Sequence, residues 1–350
     1  MTNFEKLTDT LMRLMRDVPL GLSLPVRRMI ALLTASLLEG TKLQVTALAE
    51  ALPDLDTGQA VKEHRIRRFL SNPRLAPQCL LPVFVHLLRP ILSRMPEIVL
   101  ALDRTHWTKR TCPINILMVS VTVRGRALPL FWTVWNHAGN SSFDQWKAVL
   151  TPVITDLHHR PWLHAIPVVV VADREFASPR LAEWLKTTYH VDSVLRLKRS
   201  EYLCDQMQTI QLAELLHHFP RGATRSYRQI TVTKASTFLL NVTITWGMAY
   251  EEPLMIVTPL EEVEPSITRY QQRFWIEPMF KDQKSNGFDL EATRVTDAKR
   301  LETLLILSVL AHLFCSSEGI RQEMQGTLKK NAWPHPDPSD GTLSRRVEDL

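Results

Sequence analysis

Two stretches constrain this chain most. EIVLALD at 97–103 and IPVVVVAD at 166–173 are unbroken apolar runs that each end in an aspartate and continue with an arginine. Such short, β-branched-rich runs read as strands buried in a sheet that helices cover. The end of a buried strand opens into a crevice, so Asp103 and Asp173 are carboxylates placed where two of them can share metal ions. Magnesium favours such sites, with oxygen-only ligands and retained waters. A single acid at a strand end is more often a turn residue; the pair, each followed by arginine, leaves a turn role and a metal site both open.

The neighbouring segments supply the rest of a fold. INILMVSVTV and ALPLFWTVW are further strands, with RGR and Gly125 marking a turn between them. SSFDQWKAVLTPVITDLHH carries a serine cap signal and reads as a helix bent at Pro152. SPRLAEWLKTTYH is a helix and VDSVLRLKR a strand. Three strands joined as hairpins, then helix, strand, helix and strand, fit a mixed sheet of the ribonuclease-H type. The expected fold class is therefore mixed α/β: a ribonuclease-H-like core with an N-terminal helical domain and a β-rich insertion. The boundaries read as 1–92 helical, 93–199 first part of the core, 200–262 insertion, 263–325 second part of the core, and 326–350 a tail. Within the helical part, KEHRIRRFLSNP places Lys62, Arg65, Arg67, Arg68 and Arg74 close together. Arg65 and Arg68 can face DNA phosphates, or the segment is a solvated basic face.

Composition sets outer limits. At 350 residues, two or three domains are expected, and 45% apolar with 22% charged residues excludes a disordered or fibrous chain. A formal net charge of +6 leans towards a polyanionic partner. Cys79, Cys112, Cys204 and Cys315 form no CxxC pair, which argues against structural zinc and suits a reducing cytosol. The N-terminus lacks an apolar signal region. Leu301 to Phe314 is too short to span a bilayer and reads as a buried helix, so no membrane partner is expected.

Residues 270–284 hold Tyr270, Arg273, Glu277 and Lys284 in the pattern Y-x2-R-x3-E-x6-K. At about 100° per residue they fall within roughly one 60° sector of a continuous helix. An acid for metal flanked by cations for phosphate is what a DNA-cutting site needs, although a solvated charge ladder has the same composition. Pro278 strains the picture: either the helix kinks there, or a new helix begins with Glu277 near its cap.

With ALDRTHW at 101–107, INILMVSVTVRGRALPLFW at 114–132, VADREF at 171–176 and IEPMFKDQKSNGF at 276–288, this spacing resembles the bacterial DDE transposases of the insertion-sequence 4 family. The resemblance spans most of the chain. It implies a metal-binding catalytic triad of Asp103, Asp173 and Glu277, with Mg²⁺ as cofactor and Mn²⁺ as substitute. It further implies DNA-end contacts by Tyr270, Arg273 and Lys284, and a β-rich insertion between the second and third acids. Related enzymes stack an insertion aromatic on a flipped base, which singles out Trp246; a tryptophan in an apolar strand is also a common core residue. The implied activity is cut-and-paste transposition in the bacterial cytoplasm, close to the nucleoid. It would act on double-stranded terminal inverted repeats and target DNA, by a homodimer in a synaptic complex. The rival readings are a catalytically silent DNA-binding derivative and a ribonuclease-H-fold nuclease.

Overall fold

The computed structural model describes residues 2–53, 57–205, 208–233, 236–248 and 251–326; nearly all of the expected tail lies outside them. The helices of the N-terminal third are α1 (Asn3–Arg16), α2 (Leu24–Leu38), α3 (Val45–Ala51), α4 (Gln59–Leu70) and α5 (Pro77–Leu92). Strands β1 (Ile98–Lys109), β2 (Cys112–Val123) and β3 (Arg126–Trp135) follow, then α6 (Phe143–His158), β4 (Val168–Ala172), α7 (Pro179–Tyr189) and β5 (Asp192–Arg196). Next come β6 (Tyr202–Cys204), β7 (Thr209–Gln211), α8 (Leu212–His217), β8 (Thr224–Val232), β9 (Leu239–Thr245) and β10 (Leu254–Thr258). The chain closes with α9 (Val263–Gln271), α10 (Ile276–Lys281) and α11 (Ala298–Met324).

Two units are distinguished. The first holds residues 1–98, 102–166 and 274–324; the second holds 99–101 and 167–273. Strand β1 therefore contributes to both.

In the first unit the strand order is β3-β2-β1. β2 and β3 are antiparallel, joined across Arg124 and Gly125, whose φ angles of 46° and 78° make the primed turn that a two-residue hairpin requires. Burial of Ile114 through Val123 on both faces follows from the helical cover. Helices α5, α6, α10 and α11 pack on β3, and α2, α4 and α5 pack on α11. The entry to α6 is a capping box: Ser142 accepts from the Gln145 amide while Gln145 accepts from the Ser142 amide. The apolar stretch at 301–314 sits inside a longer helix than its composition suggested, 27 residues in α11. Among the described residues α11 alone is long and apolar enough to cross a bilayer, but most of that stretch is buried within the protein.

His312 of α11 illustrates what that burial does to a titratable group. Its Nε2 meets the Ala127 carbonyl at 3.3 Å, and burial drives its pKa down from 6.5 to about 4, against that hydrogen bond and with help from Arg126. The unfolded chain therefore takes up a proton below about pH 6.5 that the folded chain refuses until about pH 4. Stability is complete above that range and is lost as the pH falls through it. The residue as a whole keeps some solvent contact, which screens part of the penalty. Denaturant titrations at about pH 7 and about pH 5 are expected to differ by about 1–2 kcal/mol more in the wild type than in His312→Gln. Equal differences would remove His312 as the cause.

In the second unit the order is β1-β4-β5-β10-β9-β8-β6-β7. β4 and β5 run parallel while the pairs from β5 onwards are antiparallel, so the sheet is mixed. Helix α7 packs on β5, and α9 packs on β4, β5 and β10. Mixed α/β architecture is thus what the chain adopts, with β6–β10 lying between Tyr202 and Thr258.

Candidate active site

Each unit carries part of the candidate set. Asp173, Tyr270 and Arg273 belong to the second unit; Asp103, Glu277 and Lys284 belong to the first.

In the second unit, β4 ends at Ala172, so Asp173 is released from the sheet into a short 3-10 turn, Arg174–Phe176. The Tyr270 hydroxyl donates to Asp173 Oδ1 at 3.3 Å. Tyr270 is fully buried. Its phenol pKa is raised, first by burial and also by Asp173, while Arg273 and Arg196 pull it back. The Arg273 guanidinium lies 5.8 Å from the Tyr270 ring centroid and is 3% exposed. The structure therefore brings three of the expected residues together: strand-end aspartate, tyrosine and arginine. Trp246 lies just past β9, half-buried, with the Arg221 guanidinium 5.3 Å from its ring centroid.

In the first unit, Asp103 is a residue of β1 itself, half-buried, and its Oδ1 accepts from the Arg104 amide at 2.7 Å. The Arg104 side chain donates to Asn115, whose amide in turn donates to the His137 carbonyl at 2.6 Å. Glu277 is exposed in the first turn of α10. Lys284 reaches β1: its Nζ lies 3.4 Å from the His106 carbonyl, 3.2 Å from Glu291 and 5.6 Å from the Trp107 ring centroid. In α4, Arg65 is half-buried and Arg68 exposed.

The signature segment is not one regular helix. It runs α9, then a 3-10 turn at Gln272–Trp275, then α10, then a π turn at Asp282–Asn286. Pro278 is the reason for the first change. It stands third in α10, where the amide has no helical partner to lose, and continuing α9 through it would have cost a bond and a clash. Tyr270 and Arg273 therefore precede this break while Glu277 and Lys284 follow it, and a single helical wheel does not describe the four.

The π turn depends on Gly287. Its amide and that of Phe288 both donate to the Asp282 carbonyl at 3.0 Å, and a Cβ on Gly287 would sit 3.0 Å from that same backbone oxygen. Gly287→Ala is expected to cost about 1–2 kcal/mol in denaturant titration through this overpacking. Gly319→Ala, inside α11 with open space around it, is expected to stabilise by up to about 1 kcal/mol. Equal effects of the two would refute the close approach at Gly287.

Sequence reasoning missed Arg196 and Glu252. The parallel register pairs Ala172 with Leu195, so the next residue along each chain sets Arg196 beside Asp173, at 4.0 Å. Arg196 is 9% exposed. Glu252, just before β10, pairs with Arg174 at 2.5 Å and with Arg196 at 3.8 Å. An arginine at the end of the strand after the second aspartate was the available signal; nothing local marked Glu252.

As metal ligands, Asp103, Asp173 and Glu277 offer hard carboxylate oxygens on side chains that are half-buried or exposed, which suits Mg²⁺ or Mn²⁺ in donor type. Among the described residues no group of three or more Asp, Glu, His or Cys side chains is gathered closely enough to hold a metal ion.

A mixed sheet covered by helices, with Asp173 at the end of β4, defines the protein as one of mixed α/β class. The family comparison narrows this: the chain belongs to the transposase DDE domain family, whose model matches residues 95–314. No curated protein matches the chain. Membership points to transposase activity with DNA as the substrate, in a family that generally depends on divalent metal ions.

Proposed function

We propose that the chain is a cut-and-paste transposase of the insertion-sequence 4 type, with a ribonuclease-H-like core. On this reading Asp103, Asp173 and Glu277 form its catalytic triad. The observation that carries the reading is the hydrogen bond from Tyr270 to Asp173, 97 residues earlier, which joins the Tyr-Arg-Glu-Lys spacing to a strand-end aspartate. The order β1-β4-β5, with β4 and β5 parallel, supports the core assignment.

The triad would hold two Mg²⁺ or Mn²⁺ ions, which supply Lewis-acid stabilisation of the attacking and leaving oxygens in an in-line displacement at phosphorus. Around them the chain's own groups set the geometry. Tyr270 holds the Asp173 carboxylate by its hydrogen bond; Arg273 fixes the Tyr270 ring and, with Lys284, offsets phosphate charge at the transposon end. Arg65 and Arg68 of α4 contact the backbone of the terminal inverted repeats, in a DNA-binding segment spanning 1–92. Trp246 stacks on an unpaired base, within an insertion spanning 200–262. A homodimer brings two ends together in the cytoplasm.

The test is cleavage of a plasmid carrying the DNA that flanks the reading frame, with Mg²⁺ or Mn²⁺, beside a gel shift for binding. Metal-dependent cuts at both flanking ends are expected. Binding without cutting would identify a silent DNA-binding derivative, and cutting that ignores the ends a nuclease.

A further inference from the structure

Asp173 shares the end of β4 with a second carboxylate that has no place in the chemistry above. Glu252 sets its Oε2 2.5 Å from Arg174 Nη2 and 3.8 Å from Arg196 Nη2. Its carboxyl pKa is held below the usual range, chiefly by the hydrogen bond from Arg174, with Arg199 and Arg196 also contributing. Three guanidiniums thus act on Glu252, and Asp173 is a further acid beside them, 4.0 Å from Arg196.

Donor capacity exceeds what these carboxylates use. The Nε atoms of Arg174 and Arg196 are both buried with no hydrogen-bond partner among the described residues. A guanidinium offers five N–H donors in a rigid fork that matches two oxygens of a carboxylate or of a phosphate equally well. The parts also differ in exposure. The Arg196 side chain is 10% exposed and forms the floor, whereas Arg174 and Glu252 are each 37% exposed at the rim. The charge at the rim can leave while the floor stays in place.

We propose that Glu252 is an internal stand-in for phosphate: it occupies an anion site built by Arg174 and Arg196, and a phosphodiester group of bound DNA displaces it. The proposal rests on the DNA-acting reading above for the identity of its ligand. The anion site itself does not. By this device the protein holds its arginines apart from free anions until a polyanion with many simultaneous contacts competes the carboxylate away. Each DNA encounter must therefore expel one negative charge, and removing that charge strengthens binding.

Two probes separate the site from its ligand. Inorganic phosphate, titrated into wild type and Glu252→Gln while thermal unfolding is followed, reads the anion site alone. Fluorescence anisotropy with a labelled duplex of the flanking ends reads DNA. Glutamine preserves shape and removes the charge, so both probes are expected to bind about tenfold more tightly to the variant. The gain is expected to vanish in Arg174→Gln/Glu252→Gln, because it acts through the arginine. Phosphate binding that is unchanged or weaker in Glu252→Gln overturns the proposal. Tighter phosphate binding with no DNA binding by either protein keeps the anion site and removes the DNA-acting reading instead. If Glu252→Gln does not fold, Glu252→Asp draws the charge back from Arg196 and decides the matter: tighter phosphate binding than wild type supports the proposal, and equal or weaker binding overturns it.

Discussion

Asp103→Asn, Asp173→Asn and Glu277→Gln are each expected to reduce metal-dependent cleavage at the flanking ends by at least about a thousandfold, or about 4 kcal/mol in transition-state stabilisation. Each exchange is close to isosteric and removes one anionic oxygen. A neutral amide is a far poorer ligand for a hard divalent ion, and phosphoryl transfer relies on such ions because the reacting group is itself anionic. Folding is expected to persist. Glu277 is exposed, Asp103 is half-buried, and an asparagine at 173 can still accept from the Tyr270 hydroxyl. Gel-shift affinity measured without metal is therefore expected to remain within about threefold, since binding draws on phosphate contacts elsewhere. Any one variant that cuts at close to the wild-type rate removes its residue from the triad. Loss of binding together with cutting would assign the residue to folding or DNA contact instead.

Trp132→Ala is the stability change with the largest expected effect, about 4 kcal/mol in denaturant titration. Trp132 lies in the middle of β3 and is 1% exposed. Its ring stacks on Phe84 of α5, with centroids 6.0 Å apart, and its indole N–H donates to the Glu302 carbonyl of α11 at 3.3 Å. Glu302 adds a second tie, its carboxylate accepting from the Thr133 hydroxyl and the Val134 amide. Truncation leaves a cavity where strand and two helices meet, and it removes the indole's tie to α11. Against a typical net stability of about 5–15 kcal/mol, that is a large fraction. Trp132→Phe, which keeps the ring contact and loses only the hydrogen bond and part of the volume, is expected to cost about half as much. A change below about 1 kcal/mol for the alanine variant would contradict the packing of β3 against α5 and α11.

Much of the local structure was legible because its causes are local. An unbroken β-branched run such as Val168–Ala172 has few ways to be anything but a buried strand, and the aspartate after it must then lie at the strand's end. Ser142 and Gln145 are three residues apart, which is the spacing a capping box needs. Arg-Gly at 124–125 suits the left-handed turn that β2 and β3 share. For 270–284 an equally local cause decides between the two readings: the cost of proline at 278 outweighs the regular spacing of four side chains, and a new helix begins with Glu277 in its first turn.

What the sequence by itself determined is therefore the kind of its buried strands and long helices, and the position of Asp173 past a buried strand. Asp103 shows the limit, since β1 continues past it to Lys109 where the apolar run had suggested an end. Only the tertiary structure decided which distant groups share the space around these residues. Tyr270 meets Asp173, Arg196 arrives beside it through the register of two parallel strands, and Lys284 is claimed by Glu291 and β1. Glu252 reaches two arginines that precede it by more than fifty residues. Strand character follows from hydrophobic periodicity within a few residues, whereas a pairing register and an ion-pair partner are chosen among many locally equivalent candidates. The choice falls to whichever arrangement buries the most apolar surface while leaving the fewest charges unmet.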